Sequence, residues 1–188
     1  MLVNGNFENT GFGGTTGYYN VGNSADHLIP SDFGWSVPVN NVDIVANGVY
    51  GPYLAGGGAY SLDLVGYGST GEIEQSINTV AGKTYTLSLE YSANNGVSNP
   101  TAAIIVNGAA LGSLTGGTTW KQFSTTFTGT GAPMTVAFDE TYGANSGGVF
   151  LDNISVAAVP EPATWAMLIL GLGLTGVMLR RRSGLAVA

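Results

Sequence analysis

The sequence contains no cysteine in 188 residues. A chain without cysteine has no disulfide framework, no thiolate metal site and no cysteine nucleophile. Its stability must therefore come from packing, hydrogen bonds and any ion that it binds.

Positive charge is scarce before residue 160, where Lys83 and Lys121 are the only basic residues and eleven residues are acidic. This part of the chain has a formal charge of −9. An acidic protein with so few cations cannot follow a phosphate backbone, so we expect no nucleic-acid partner. Divalent cations and neutral ligands suit this composition better.

Catalytic constellations are also scarce, because His27 is the only histidine. Asp26 and Ser24 are its neighbours in sequence, but adjacent loop residues do not form a triad, whose members must converge in space. Glu72 and Glu74 raise the question of a glycosidase, although their alternation places both on the solvent face of a strand. We therefore expect that the protein is not an enzyme.

No helical pattern of useful length occurs before residue 160, and alternating polar and apolar residues occur instead. The clearest strand is Lys83–Ala93, where Tyr85, Leu87 and Leu89 share one face. Other candidate strands are Leu2–Glu8, Val42–Ala46, Tyr60–Val65, Gly71–Asn78, Thr101–Asn107, Trp120–Thr128, Met134–Asp139 and Gly148–Val156. Asn107-Gly108 is typical of a hairpin turn. This pattern predicts an all-β jelly-roll β-sandwich over residues 1–157.

The C-terminal region contains an uncharged segment of 17 residues, Ala163–Leu179. As a helix it would be about 26 Å long, close to the ~30 Å hydrocarbon core of a bilayer. Trp165 suits the membrane interface, and Arg180, Arg181 and Arg182 would stay in the cytoplasm. These features predict a single transmembrane helix with residues 1–157 outside the cytoplasm. The alternative is a buried helix of a soluble domain.

Val159, Pro160, Glu161 and Pro162 precede this segment, and the arginine cluster follows it. The three parts in this order resemble the PEP-CTERM sorting signal, which is found on exported proteins of Gram-negative bacteria that make exopolysaccharide. The resemblance implies an exosortase as a partner, transient residence in the inner membrane and final release to the outer surface or matrix. We assign residues 158–183 to this signal and 184–188 to a short tail.

Export also requires a signal peptide, yet the chain opens Met1-Leu2-Val3-Asn4, with neither a basic nor an apolar leader region. We expect that an upstream segment is missing from this sequence; the alternative is that the protein is never exported.

The two ends of the β-rich part carry a second resemblance. Leu2–Glu8 and Val149–Val156 are similar to the opening and closing strands of galactose-binding-like sandwiches, which include several families of carbohydrate-binding modules. The order of the segments between them is similar to that of DUF642-like proteins of the choice-of-anchor C type. The resemblance implies a jelly roll that binds carbohydrate.

A structural calcium ion often joins the first and last strands of such sandwiches. Carried over, its ligands are Glu8, the carbonyl of Asn6 and Asp152. Asp152 has the parity of Phe150 and Ile154, so we expect it to point inward, where a carboxylate needs a partner. The alternative is that Asp152 caps a turn and Glu8 is solvated.

Several aromatic residues lie in or beside loops that are rich in glycine and asparagine. Flat aromatic faces stack on sugar rings, so we predict that ligand-binding residues are among them. These aromatic residues are Tyr18, Tyr19, Trp35, Tyr50, Tyr53, Trp120 and Tyr142, and the selected candidates are Tyr18, Tyr19, Trp35 and Tyr142. The alternative for Trp35 and Trp120 is packing in the core or at its rim.

Together these features predict an exported, non-enzymatic surface or extracellular-matrix protein that binds polysaccharide. One alternative is a structural or adhesive matrix protein without a ligand pocket. Another is a secreted glycoside hydrolase.

Overall fold

The computed structural model describes residues 2–11, 14, 16–22, 29–143, 147–160, 169, 170 and 172. The chain divides into two compact units, Met1–Ala157 and Ala158–Ala188.

Eleven strands of the described residues form two sheets of antiparallel strand pairs. The strands are β1 (Tyr18–Gly22), β2 (Ser36–Val39), β3 (Asn41–Ala46), β4 (Tyr60–Asp63), β5 (Glu72–Asn78), β6 (Thr84–Ala93), β7 (Thr101–Val106), β8 (Ala109–Thr115), β9 (Lys121–Thr128), β10 (Pro133–Tyr142) and β11 (Val149–Ala158). One sheet has the order β1-β3-β4-β11-β6-β9 and the other β2-β5-β10-β7-β8. The predicted all-β sandwich is confirmed.

The core lies between the two sheets and follows the predicted alternation. In β6, Tyr85, Leu87 and Leu89 are buried in it, while the residues between them face outward. Side chains such as Ile104 and Phe138 of the second sheet complete the same cluster. Each buried large side chain contributes about 1.5–3 kcal/mol, which is enough for a sandwich without disulfides.

The turn at Asn107-Gly108 joins β7 to β8 as predicted. Val106 pairs with Ala109 across a two-residue loop whose φ angles are 51° and 79°. Positive φ at both positions is the geometry of a type I′ turn, which asparagine and glycine adopt most easily.

The N-terminal segment differs from its prediction, because Leu2–Glu8 is not a strand. It docks through individual hydrogen bonds instead. The Val3 N–H donates to Gln75 Oε1 at 2.7 Å, and the Ile154 N–H donates to the Gly5 carbonyl at 2.8 Å. Within this segment, the side chain of Phe7 is fully buried in the core.

Strands β1, β2 and β8 were not predicted from the sequence. β1 lies between the candidate strands Leu2–Glu8 and Val42–Ala46, where the sequence analysis assigns no strand. Asparagine and glycine are weak strand formers, so β1 depends on its pairing with β3, which runs from Tyr18–Val45 to Gly22–Asn41.

Strand β11 contains a break in its alternation. Leu151 and Ile154 both lie in the core although they are three residues apart, and Asn153 between them has a φ of 49°. The alternation therefore shifts by one residue, and Asp152 lies with Phe150 on the face that points away from the core. Asp152 is buried, as expected, but because of this irregularity it lies on that outer face and not in the core between the sheets.

Most of the predicted membrane segment lies outside the described residues, and so do Glu161, Pro162, Trp165 and the cluster Arg180, Arg181 and Arg182. Ile169, Leu170 and Leu172 are described as helical and exposed. Within the part of the chain that the structure describes, no helix has the length and apolar character needed to cross a membrane.

Candidate functional site

The outer face of the six-stranded sheet carries a row of polar side chains. Val21, Ile44 and Leu62 point into the core, so their neighbours Asn20, Asp43 and Asp63 point away from it. The register places Asn20 opposite Asp43 and Asp43 opposite Asp63, across three adjacent strands. The alternation of β1, β3 and β4 thus brings two carboxylates together on this face.

A cavity of about 290 Å³ opens on this row. It is lined by Tyr18, Asp43, Val45, Tyr50, Asp63, Tyr67 and Asn94. The three tyrosines come from β1, from the loop between β3 and β4, and from the loop after β4. Their side chains are between 48% and 77% exposed, whereas Asp43 and Asp63 are buried. The cavity therefore has aromatic walls at its mouth and carboxylates at its base.

The loop that carries Tyr50 is held by several hydrogen bonds. The Asn47 amide donates to the Leu54 carbonyl and accepts from the Leu54 N–H, both at 2.9 Å. Trp120 Nε1 donates to the Pro52 carbonyl at 2.7 Å. Tyr50 has a φ of 61°, which is rare for a bulky residue, and its ring meets that of Tyr18 edge-on at 6.1 Å between centroids. The fold holds a strained tyrosine at the cavity mouth, as often occurs at binding sites.

Asp63 is held at the base by three neutral donors. Its Oδ1 accepts from the N–H groups of Val65 at 3.0 Å and Gly148 at 2.9 Å, and its Oδ2 accepts from the Asn94 amide at 3.0 Å. Burial and, to a smaller extent, the nearby Asp43 carboxylate together raise the pKa of Asp63 to about 8. The base of the cavity therefore holds a carboxylate whose hydrogen-bond partners carry no compensating charge.

Glu140, on β10, is a second buried acid beside Asp63. Its Oε2 accepts from the Val149 N–H at 3.0 Å, and its Oε1 has no hydrogen-bond partner among the described residues. Burial raises the pKa of Glu140 to about 8, and the Asp63 and Asp139 carboxylates add to this effect.

The structure separates the four tyrosine and tryptophan candidates. Tyr18 lines the cavity, whereas Tyr19 is its partly exposed neighbour on the other side of β1 and does not line it. Tyr142 is exposed at the end of β10 in the second sheet.

Trp35 is a core residue, and its ligand-binding prediction is wrong. Its side chain is only 2% exposed, and its ring packs against Phe7 and Phe138 with centroids 6.0 and 6.1 Å away. Its Nε1 donates to the Asn4 carbonyl at 3.0 Å, so both the apolar and the polar parts of the indole are satisfied internally.

The predicted calcium ligands Glu8 and Asp152 lie beside consecutive residues of the loop between β3 and β4. A methyl group at Gly57 would overlap the Asp152 carboxylate, and one at Gly58 would overlap that of Glu8. Glu8 Oε1 accepts from the N–H groups of Ala59 and Tyr60 at 2.9 and 3.0 Å. The docking of the chain start and the irregularity in β11 thus bring the two acids to the same loop.

Asp152 is fully buried, and its Oδ2 has no hydrogen-bond partner among the described residues. Burial and, to a smaller extent, the Glu8 and Glu90 carboxylates together raise the pKa of Asp152 to about 8. An unpartnered buried carboxylate oxygen next to a second acid fits a hard cation such as calcium. No group of three or more His, Cys, Asp or Glu side chains suited to a metal occurs in the described ranges, so carbonyl oxygens would have to complete such a site. Asn6 is exposed beside Phe7, and its carbonyl stays a predicted ligand.

The cavity residues Asp43, Asp63, Asn94 and Tyr67 were not predicted as site residues. The signal for Asp43 and Asp63 in the sequence is the presence of an aspartate within each of two apolar strands, VDIVA and YSLDL. Alternation alone assigns such aspartates to solvent, because it does not show that a loop covers that face.

Comparison with known families gives a match to the model described as "Protein of unknown function (DUF642)" over residues 1–157. The chain belongs to the DUF642 family. Residues 158–182 of this DUF642 protein match the PEP-CTERM protein-sorting motif. The resemblance to both, including the Pro160-Glu161-Pro162 element, is confirmed. This motif makes the protein an exosortase-targeted surface protein and indicates export with membrane-associated sorting in Gram-negative bacteria.

No curated protein matches this DUF642 chain significantly. Similar solved structures include a family 35 carbohydrate-binding module from Clostridium thermocellum, with 22% identity, 65% of this chain and 92% of that chain covered, and a TM-score of 0.44. A CBM4 structure has 14% identity, covers 85% and 100% of the two chains, and has a TM-score of 0.48. CBM35 from Paenibacillus barcinonensis has 20% identity, 78% and 100% coverage, and a TM-score of 0.43.

Proposed function

We propose that this DUF642 protein is a non-enzymatic polysaccharide-binding protein of the outer surface or extracellular matrix. The observation that carries the proposal is the cavity on the outer face of the six-stranded sheet, where three tyrosines surround a polar base. The sorting motif supports it, since a protein exported in this way meets extracellular polysaccharide.

The cavity has the chemistry that a sugar ring requires. The rings of Tyr18, Tyr50 and Tyr67 offer aromatic faces, and Asp43 and Asn94 offer polar atoms for hydroxyl groups. Its volume of about 290 Å³ is close to the lower limit for ligand pockets, which have volumes of about 300 to 1,000 Å³. The cavity therefore suits one or two sugar units of a longer chain.

Binding measurements with the full chain in detergent micelles test this proposal. We expect the affinity for polysaccharide, measured by retention or calorimetry, to fall about tenfold or more in Tyr50→Ala and in Tyr18→Ala. A tenfold loss of affinity corresponds to about 1.4 kcal/mol of binding free energy. Tyr53→Ala is the matched control, because Tyr53 lies on the same loop, is 70% exposed and does not line the cavity.

The other outcomes separate the alternatives. Absence of binding to any polysaccharide would favour a structural matrix protein. Release of new reducing ends, abolished by substituting one acid, would make the protein a hydrolase.

We also propose a structural calcium ion at Glu8 and Asp152, with the Asn6 carbonyl as a further ligand. The unpartnered Oδ2 of Asp152 supports it. The ion would hold the start of the chain against β11 and would take no part in a reaction.

A further inference from the structure

The base of the tyrosine cavity is acidic, and this bears on which sugar it accepts. Asp43 and Asp63 are directly opposite each other on adjacent antiparallel strands, where two like charges would destabilise the sheet. The pKa of Asp63 is accordingly raised to about 8, so at neutral pH this group ionises only when a cation is bound beside it. None of the described residues that line the cavity is basic. A ligand that carried a negative charge would be repelled by the Asp43 carboxylate, whereas a positive charge would stabilise the ionised form of Asp63.

The hydrogen bonds of Asp63 limit the kind of cation that fits. A carboxylate has about four lone-pair sites, and three of those on Asp63 accept from Val65, Gly148 and Asn94. One site is enough for a single N–H donor but not for bidentate ligation of a metal. Asn20 donates to Asp43 Oδ1 at 2.6 Å, and its own buried Oδ1 has no hydrogen-bond partner within the described part of the chain. The base of the cavity is thus better suited to a hydrogen-bonding cation than to a metal ion.

The walls favour the same kind of ligand. The faces of Tyr18, Tyr50 and Tyr67 carry the negative side of the ring quadrupole, which attracts an ammonium group within about 6 Å of the ring centroid. Aromatic walls above carboxylates are the combination by which proteins recognise organic ammonium groups.

We propose that the cavity selects a sugar unit with a free, protonated amine, as in a de-N-acetylated aminohexose polymer. This inference rests on the proposed function, because it names the class of sugar for the same cavity. The ammonium group lies at Asp43 and Asp63, and the sugar ring packs against the tyrosines. Polymers of uronic acids are excluded by like charge.

The test compares three oligosaccharides of equal length and linkage by calorimetry with the full chain in detergent and saturating calcium. Oligomers of β-1,4-linked glucosamine, N-acetylglucosamine and glucose differ only at carbon 2, which carries an ammonium, an acetamido or a hydroxyl group. We expect the glucosamine oligomer to bind at least tenfold more tightly than either neutral oligomer. We also expect this preference to shrink as salt is raised from 0.05 to 0.5 M, because the Debye length falls from roughly 14 to 4 Å.

Two variants locate the effect. Asp43→Asn removes one charge from the cavity and keeps an oxygen for the Asn20 amide, so it should abolish most of the preference. Glu74→Gln removes one charge from β5 in the other sheet and should leave the preference unchanged. The wild-type comparison does not depend on whether either variant folds.

The outcomes distinguish this inference from the proposed function. Equal binding of all three oligomers would overturn the inference and leave polysaccharide binding intact. A preference that Asp43→Asn and Glu74→Gln reduce equally would show attraction to the overall negative charge and would also overturn it. Binding of calcium alone at a site that Asp43→Asn removes would assign the cavity to a metal. Binding of none of the three would refute the inference and count against the proposed function.

Discussion

At the scale of single residues, the unusual feature is a pair of neighbouring buried acids. Asp63 and Glu140 lie on different sheets, and burial raises the pKa of each to about 8. The Asp43 carboxylate contributes to the raised pKa of Asp63, and the Asp139 carboxylate contributes to that of Glu140. Buried acids with strongly raised pKa values cluster at functional sites.

These pKa values predict how stability depends on pH. In the unfolded chain both acids lose their protons near pH 4, whereas in the fold they keep them to about pH 8. The unfolded state therefore binds fewer protons between these limits, and the free energy of unfolding falls as pH rises, by up to about 1.4 kcal/mol per pH unit for each group. We expect a higher melting temperature at pH 5 than at pH 8 in saturating calcium.

The variant Glu140→Gln checks the origin of this dependence. It retains an acceptor for the Val149 N–H but cannot ionise, so its melting temperature should fall less between pH 5 and pH 8 than that of the wild type. Glu74→Gln, at a partly exposed position, serves as the control and should leave the slope unchanged. A melting temperature that rises with pH in the wild type would contradict the assignment.

At the scale of elements, the start of the chain and β11 depend on each other. The segment around Glu8 docks through hydrogen bonds to Gln75 and to the backbone of β11, and Asp152 lies where the alternation of β11 breaks. Calcium at Glu8 and Asp152 would fasten these elements to the loop between β3 and β4.

Asp152→Asn gives a test in which the sign of the effect decides. Without calcium, and above about pH 8, where Asp152 with its raised pKa is ionised, the substitution removes a buried charge. It should then raise the melting temperature, because an uncompensated buried carboxylate costs about 1–3 kcal/mol or more. With calcium it removes a ligand and should lower the melting temperature. Chelation with EGTA should destabilise the wild type itself.

The double variant Glu8→Ala, Asp152→Ala completes this test. If both residues bind one ion, their effects on the free energy of unfolding should be non-additive, with coupling of about 0.5–3 kcal/mol. Glu72→Ala in the other sheet is the matched control and should combine additively with Asp152→Ala. An unchanged melting temperature in EGTA would argue against the ion.

Local pattern was sufficient for most strands and insufficient for others. β6 is amphipathic over its whole length, so its two faces were evident from alternation. β8 contains alanine and glycine and forms because the turn at Asn107-Gly108 places it beside β7. Leu2–Glu8 has an extended pattern, but its hydrogen-bonding groups find partners in side chains and in β11 instead of a ladder.

At the scale of the whole molecule, the chain combines an acidic sandwich with a sorting motif at residues 158–182. Proline disfavours helix, so the sequence Pro160-Glu161-Pro162 predicts a segment that a processing enzyme can reach.

Processing predicts that the mature protein lacks the C-terminal region. We expect mass spectrometry of the protein from an exosortase-positive Gram-negative host, expressed behind that host's signal peptide, to find no peptide from residues 165–182. A variant with Pro160, Glu161 and Pro162 all replaced by alanine should retain the region and remain with the membrane. Recovery of the intact region on the surface form of the unaltered protein would refute processing.

The pairing of Glu8 with Asp152 as a candidate cation site came from the resemblance to galactose-binding-like sandwiches. The sequence by itself determined the sorting motif, the all-β class and the hairpin at Asn107-Gly108. Each of these depends on local order or on alternation within one strand. Only the tertiary structure decided that Trp35 belongs to the core and that a cavity lies at Asp43 and Asp63. The physical reason is that alternation separates the two faces of a strand but does not show which strands become neighbours or which face a loop covers.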